Sequence, residues 1–154
     1  MKNNTYFENL EKFAQAYGKK LHDHETLKQG IVDVYGWDSD ELKAWYAEKK
    51  AIEETNPYGM GAHRAYRAWK DSESDELEFS DFCWEKDIPE FISTLRQAGI
   101  KTFVVTNQST ALMENIHGFI REGCTLEGAC ILTRKSHRWG IEEEEQVQGL
   151  RFAL

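Results

Sequence analysis

Apolar positions follow a helical rhythm over the first seventy residues and a mixed rhythm after them. Phe7, Leu10, Phe13, Ala14 and Tyr17 recur at three- and four-residue spacing, which predicts a helix. Thr5 with Glu8 offers a capping box at its start, Gly18 a stop, and Lys19 to Asp23 reads as a connector. Leu27, Ile31 and Val34 share one face of a second helix, weakened by Gly30 and ended by Gly36. Asp38-Ser39-Asp40-Glu41 opens a third, with Leu42, Trp45, Lys49 and Ile52 along one stripe. Asn56-Pro57-Tyr58-Gly59 then breaks the chain. Met60 to Lys70 predicts a short fourth helix carrying His63, Arg64, Arg67 and Lys70 on one side. The acidic run Asp71 to Glu76 reads as a mobile linker.

Beyond it the pattern changes. Leu77-Glu78-Phe79 predicts a short strand. Asp87 as cap, Glu90 three residues later, Pro89 in the first turn and Gly99 as stop bound a helix carrying Ile88, Phe91, Ile92 and Leu95. Phe103, Val104 and Val105, within a segment 101–106, form the continuous apolar run of a strand covered on both faces. The polar cluster Thr106 to Thr110 interrupts it before Leu112, Ile116, Phe119 and Ile120 begin another amphipathic helix over 110–122. Ala129 to Thr133 and Glu144 to Phe152 read as strands joined through a turn at Arg134 to Gly140, hence an antiparallel hairpin. If 101–106 and 129–133 lie parallel, the helix between them makes a right-handed crossover.

The expected fold is therefore α+β (or α/β). A helical N-terminal half, 1–70, packs on a small mixed sheet in 77–154 that ends in an antiparallel hairpin, with 71–76 between them in one domain. A chain of 154 residues with five Trp, six Tyr and eight Phe has ample side-chain volume for a core. The formal charge of −8 disfavours direct nucleic-acid or anionic-membrane contact and favours a protein partner with a basic surface. Three cysteines, Cys83, Cys124 and Cys130, without paired spacing argue against a disulfide framework and for a reducing cytoplasm. Met1 is followed by polar residues rather than a signal-peptide core, and no apolar run reaches membrane-spanning length.

Candidate chemistry concentrates at the strand-to-helix turn Thr106-Asn107-Gln108-Ser109-Thr110. Hydroxyls beside free N–H groups at a helix start suit a phosphate or carboxylate, and they equally suit ordinary capping by Ser109 or Thr110. The segment 91–107, ending Val-Val-Thr106-Asn107, resembles the second motif of haloacid-dehalogenase-type phosphatases, whose Thr or Ser holds the transferred phosphoryl group. The nucleophile motif of that family is absent before it, and Asp38-Ser39-Asp40 reads as a helix cap. Residues 78–154 resemble a family of small acidic proteins of Firmicutes and their mobile elements, through Phe103 to His117, Gly123-Cys124 and Gln148 to Phe152. That resemblance implies an accessory role and assigns no catalytic residue.

Several other groupings are weighed against plainer readings. His22-Asp23-His24-Glu25 places possible metal ligands close together, yet sequence supplies no further ligand, so a solvated helix entry is the alternative. His117, Glu114 and Cys124 set a thiol near a base, although Cys124 follows a helix end rather than a helix start. The basic side of 60–70 binds an acidic partner or is neutralised by the linker that follows. Glu142 to Glu145 either imitate a phosphate backbone or solvate a hairpin edge. The resulting expectation is a non-catalytic, cytoplasmic interaction protein without cofactor or metal. The alternative is a small-molecule or phosphate-binding module using Thr106, Asn107, Ser109, Thr110 and His117.

Overall fold

The structure is a computed structural model, and it describes residues 3–154. Met1 and Lys2, on which the reading of the chain's polar start partly rests, lie outside them. The architecture is α+β, with helices in the first half and a four-stranded mixed sheet in the second. The chain divides into two compact units, one made of Asn9–Pro57 and the other of Met1–Glu8 with Tyr58–Leu154.

The first helix, α1 (Thr5–Glu25), lies in the helical unit from Asn9 onward and continues through Gly18 and through the expected connector. Glycine permits a stop but does not impose one. Asn4, not Thr5, is the cap: its Oδ1 accepts from Phe7 N–H at 3.1 Å. Then α2 (Lys28–Tyr35) ends at Gly36, whose φ of 87° is open to glycine at no steric cost. Ser39 caps α3 (Asp40–Glu53) by accepting from Leu42 N–H. The local core is built on Trp45, 2% exposed. His24 stacks on it at 4.9 Å, its Nε2 lies 2.9 Å from Trp45 O, and the indole N–H donates to His24 O. No residue of α2 is buried, and Leu27, Val34, Tyr35 and Trp37 stand largely in solvent.

In the second unit, α4 (Met60–Asp71) and α5 (Ile88–Gln97) cross at close range. No side chain of α4's own N-terminus caps it. Glu90 of α5 does so instead, accepting from Gly59 N–H at 3.0 Å and Ala62 N–H at 2.9 Å. This corrects the expected Asp87–Glu90 box, since Asp87 makes no side-chain cap. Glu90 satisfies donors 28 and 31 residues away rather than those of its own turn. Gly61 makes the approach possible: a Cβ there would lie 2.6 Å from Phe91 N and closer still to Asp87 O.

The sheet is β1 (Leu77–Phe79), β2 (Thr102–Val105), β3 (Thr125–Arg138) and β4 (Ile141–Ala153), in the order β1-β2-β4-β3. The parallel pair is β1 with β2, linked through α5. The final strand β4 enters between β2 and β3, antiparallel to both, so 129–133 is not the neighbour of 101–106. Leu77, Phe79, Phe103, Val105 and Phe152 face the helices α4, α5 and α6 (Leu112–Arg121) in one core. Val104 and Leu132 occupy the opposite face and are 0% and 4% exposed. The long hairpin encloses that face by coiling. Arg134 of the outermost strand binds Glu78 at the far edge, and Lys135 N–H lies 3.4 Å from Glu73 O. Thus β2 is covered on both faces, as its apolar run predicts. The 71–76 segment is stitched into this unit: Ser72 Oγ donates to Ala68 O and accepts from Glu78 N–H, and Glu76 pairs with Arg151.

The expected turn Arg134 to Gly140 is strand almost throughout. The turn proper is Trp139-Gly140, with φ of 56° and 75°. Two consecutive positive φ values in a two-residue loop are the requirement of the type I′ hairpin turn.

Two glycine substitutions separate close backbone approach at the crossing from helix propensity elsewhere. Gly61→Ala forces backbone against backbone and should cost about 1–3 kcal/mol. Gly30→Ala meets nothing within 4 Å and should stabilise by about 0.5–1 kcal/mol through helix propensity. Denaturant titration of both variants checks the opposite signs.

Candidate functional site

The Thr106–Thr110 turn falls at the carboxyl end of β2, where a side chain can project past the last ladder bond. Thr106 is not free to bind phosphate: its Oγ1 donates to Glu78 Oε1 at 2.8 Å. Asn107 folds back as an Asx turn, its Oδ1 accepting from Ser109 N–H at 2.6 Å. Asn107 is 8% exposed, and its Nδ2 is buried with no acceptor. Ser109 Oγ accepts from Ala111 N–H at 3.3 Å, a long bond, while Thr110 is exposed. Neither caps α6, whose N-cap is Ala111 without a side-chain bond. His117 is exposed on α6 and does not join the turn residues.

A hollow of about 560 Å³ opens beside this turn. It exists because β2 stops at Val105 while β3 and β4 run on. Val105 pairs with Leu150, Leu150 with Ala129, and Ile131 with Gln148, all on the helix-covered face. Leu112 of α6 and Asn107 complete the wall.

The other groupings resolve into structure. His24 is buried against Trp45, and no set of three metal-ligating side chains occurs among the described residues. Cys124 is buried and its thiol is pushed up by that burial, which leaves it a poor nucleophile. Cys83 is pushed up to about 12, by desolvation first and then by the Asp87 carboxylate. Its backbone is held at both ends by Asn115, which accepts from Cys83 N–H and donates to Cys83 O.

A second concavity, about 710 Å³, lies between α4 and the hairpin. His63, Arg64 and Arg67 approach it from α4, and Arg134, His137 and Arg138 from β3. Four guanidinium groups and five carboxylates line it, so no net positive field develops. Arg67 pairs with Asp71 of the acidic run, but Arg64 pairs with Asp81 beyond it. The innermost pair is Arg134–Glu78, with Glu78 side chain 5% exposed and Arg134 Nε 2.9 Å from Oε2.

The acidic run Glu142–Glu145 stands in register with a basic one: Arg134 faces Glu145, Lys135 faces Glu144 and His137 faces Glu142. Opposite charges directly across a ladder stabilise pairing. Past them the hairpin ends in Trp139, 98% exposed, flanked by Ile141, 60% exposed. Sequence reasoning missed this tip because a charge-rich stretch lacks the apolar alternation of a strand. The available signal was the mirrored basic and acidic runs on either side of Trp-Gly.

A family model described as a domain of unknown function, DUF7698, matches residues 61–154, more than half of the chain. The match begins one residue after the start of α4 and leaves out the helical unit. No curated protein and no solved structure matches the chain. No helix among the described residues is long and apolar enough to cross a membrane.

Breaking the inner ion pair from one side should be costly. Arg134→Ala leaves the Glu78 carboxylate buried and should destabilise by about 3 kcal/mol, whereas Arg134→Met with Glu78→Leu should recover most of it. A double-mutant cycle from urea unfolding measures the coupling. The thiols supply a second check. With native protein at pH 8, a disulfide reagent should label Cys130, which is partly exposed, and leave Cys83 and Cys124 untouched until denaturant is added.

Proposed function

The chain belongs to the DUF7698 family, and we propose that this member is a non-catalytic accessory protein that binds another protein through the tip of the β3–β4 hairpin. The observation that carries the reading is Trp139. A type I′ turn favours Asn or Gly at both central positions, and a bulky side chain at positive φ costs about 1–2 kcal/mol. Here the larger residue occupies that position and buries almost nothing, being 98% exposed. The cost is recovered only when the indole is covered. An aromatic side chain removes about 200 Å² from water on docking, worth about 5 kcal/mol gross at 25 cal/mol per Å². The gain exceeds the strain. Strain held at an exposed aromatic is a reason to look for function there.

The chemistry of the tip favours one kind of partner. Trp139 and Ile141 call for an apolar slot, and Arg138, with no ion-pair partner among the described residues, calls for a carboxylate at its rim. Glu142 to Glu145 stand opposite a basic run, and Glu145 pairs with Arg134 at 3.8 Å, so close recognition is assigned to the tip. The net charge of −8 still favours long-range approach by a partner with a basic surface.

Trp139→Asn separates the two roles of this residue. It should raise stability by about 1 kcal/mol while abolishing capture of the partner that the wild type retains, followed by thermal melting and by quantitative pull-down side by side. If the variant retains the same proteins at the same yield, the tip is not the contact element.

A further inference from the structure

We propose that the free edge of β3, over 129–133, pairs antiparallel with the same edge of a second copy of this chain, about a two-fold axis at Ile131. The hairpin tip plays no part in this contact. Of the sheet's two edge strands, β1 has three residues and β3 has fourteen. A long open edge invites another strand, and proteins guard it with bulges, charge, proline or a covering segment. Here the guards stand at the ends. A bulge lies between Leu126 and Gly128, and Lys135 N–H points to Glu73 O of the 71–76 segment. Between them Ala129-Cys130-Ile131-Leu132-Thr133 carries neither charge nor proline.

Lys135 fixes the direction of the backbone groups along this stretch. Its N–H points away from β4, and pairing with β4 is regular from Gly128 to Arg138. In such a ladder the outward positions recur at every second residue, so Ala129, Ile131 and Thr133 also turn their N–H and C=O outward. Among the described residues no backbone group bonds to them from that side. Side chains do not cover the stretch either, since Ile131 is 63% exposed.

The side chains of this edge complement themselves. An axis at Ile131 sets Ile131 against Ile131, Ala129 against Thr133 on both sides, and Glu127 near Lys135 at both ends. Reciprocal N–H···O bonds then form at Ile131 and at both Ala129–Thr133 pairs. Moving the axis by one residue either way carries Glu127 to Thr133 or His137 and loses the opposite charges. It also breaks the apolar Ile131 pair, which adds to the stability of a ladder. A second copy thus supplies a match at each position, which an arbitrary extended segment does not. An edge contact this short falls below the about 1,200–2,000 Å² of a stable interface, and two chains of net charge −8 repel each other. The dimer is therefore reversible, with a Kd on the order of 10–100 μM.

Opposite charges placed across the axis test this. Ile131→Lys and Ile131→Glu, at an exposed position, should each keep the far-ultraviolet circular dichroism of the wild type. Each alone should weaken self-association at least about tenfold, because like charges then face one another. An equimolar mixture of the two should recover association to within about threefold of the wild type. Sedimentation equilibrium of the full chain up to about 0.5 mM reads all of these. Cross-linking reads the register. In a Cys130→Ser background, Ile131→Cys should give a disulfide-linked dimer on mild oxidation, since directly paired Cα atoms lie about 5.5 Å apart. Thr133→Cys, which faces Ala129, should not. The proposal is overturned if the wild type is monomeric at about 0.5 mM, which would leave the edge to a strand of another protein. It is equally overturned if either charged variant associates as the wild type does, if the mixture recovers nothing, or if Thr133→Cys links as readily as Ile131→Cys.

Discussion

Five phenylalanine rings, each from a different element, hold the carboxyl-terminal unit together. Phe79 of β1, Phe91 of α5, Phe103 of β2, Phe119 of α6 and Phe152 of β4 are all 0–1% exposed. Phe79 meets Phe91 at 4.7 Å, Phe91 stacks on Phe119 at 5.7 Å, and Phe103 stacks on Phe152 at 5.4 Å. Each such pair adds about 0.5–1.5 kcal/mol beyond the area it removes from water. Because no two rings share an element, the cluster can close only when both helices and three strands are in place. The pairing of Phe103 with Phe152 joins positions far apart in sequence, and such contacts must overcome a large loop-closure entropy before they stabilise anything. The sheet and the two helices therefore close cooperatively. Everything proposed for the hairpin and its free edge depends on that closure, because β4 is both the partner of β2 in this core and one arm of the hairpin.

The helical unit rests on a different principle. Its buried centre is small, and Trp45 supplies most of it. The indole is satisfied rather than merely covered: its N–H reaches His24 O, and Lys28 and Lys49 lie 5.2 and 5.6 Å from its ring. Such cations carry their apolar stems over the ring and leave their heads in water.

Element types were legible in the sequence wherever one local rule sufficed. Helical spacing identified α2 to α6, and the continuous run 103–105 identified β2. Boundaries went astray where a rule states a tolerance rather than a demand, as at Gly18, which accommodates α1 without ending it. Distant satisfaction was out of reach of local reasoning. Glu90 looks like the third residue of its own capping box, and only the α4–α5 crossing makes it the cap of another helix. The hairpin failed for a related reason. Its outer strands pair by charge, with Arg134, Lys135 and His137 against Glu145, Glu144 and Glu142, so apolar alternation carried no signal there. Of the candidate site, the turn itself was read from sequence. The walls that turn it into a hollow were not, since they follow from the register that aligns Leu150 with Val105. His117 shares the helix that begins at the turn but points away from it, a difference of helical phase.

One glycine links the core to the hairpin's reach. At Gly149 a Cβ would overlap Val104 Cγ1 and lie 3.1 Å from Val105 O, so only a residue without a side chain lets β4 pass this close to the end of β2. Beyond this passage the hairpin coils back over the sheet, bringing Arg134 of β3 to Glu78 of β1. Without that coiling the outer half of β3 would continue away from the sheet edge. Arg134 could then not cross to Glu78, nor Lys135 N–H approach Glu73 O. Val104 and Leu132 would lose their cover, while the two carboxylates Glu76 and Glu78 would remain near the sheet with fewer cations to meet them. The ion pairs are thus a consequence of the curvature rather than its origin. A buried pair such as Arg134–Glu78 returns much of its attraction as desolvation, whereas the apolar contact between Val104 and the passing backbone does not depend on ionic strength. The curvature persists in salt, and the hollow beside Asn107 and the projecting Trp139 persist with it.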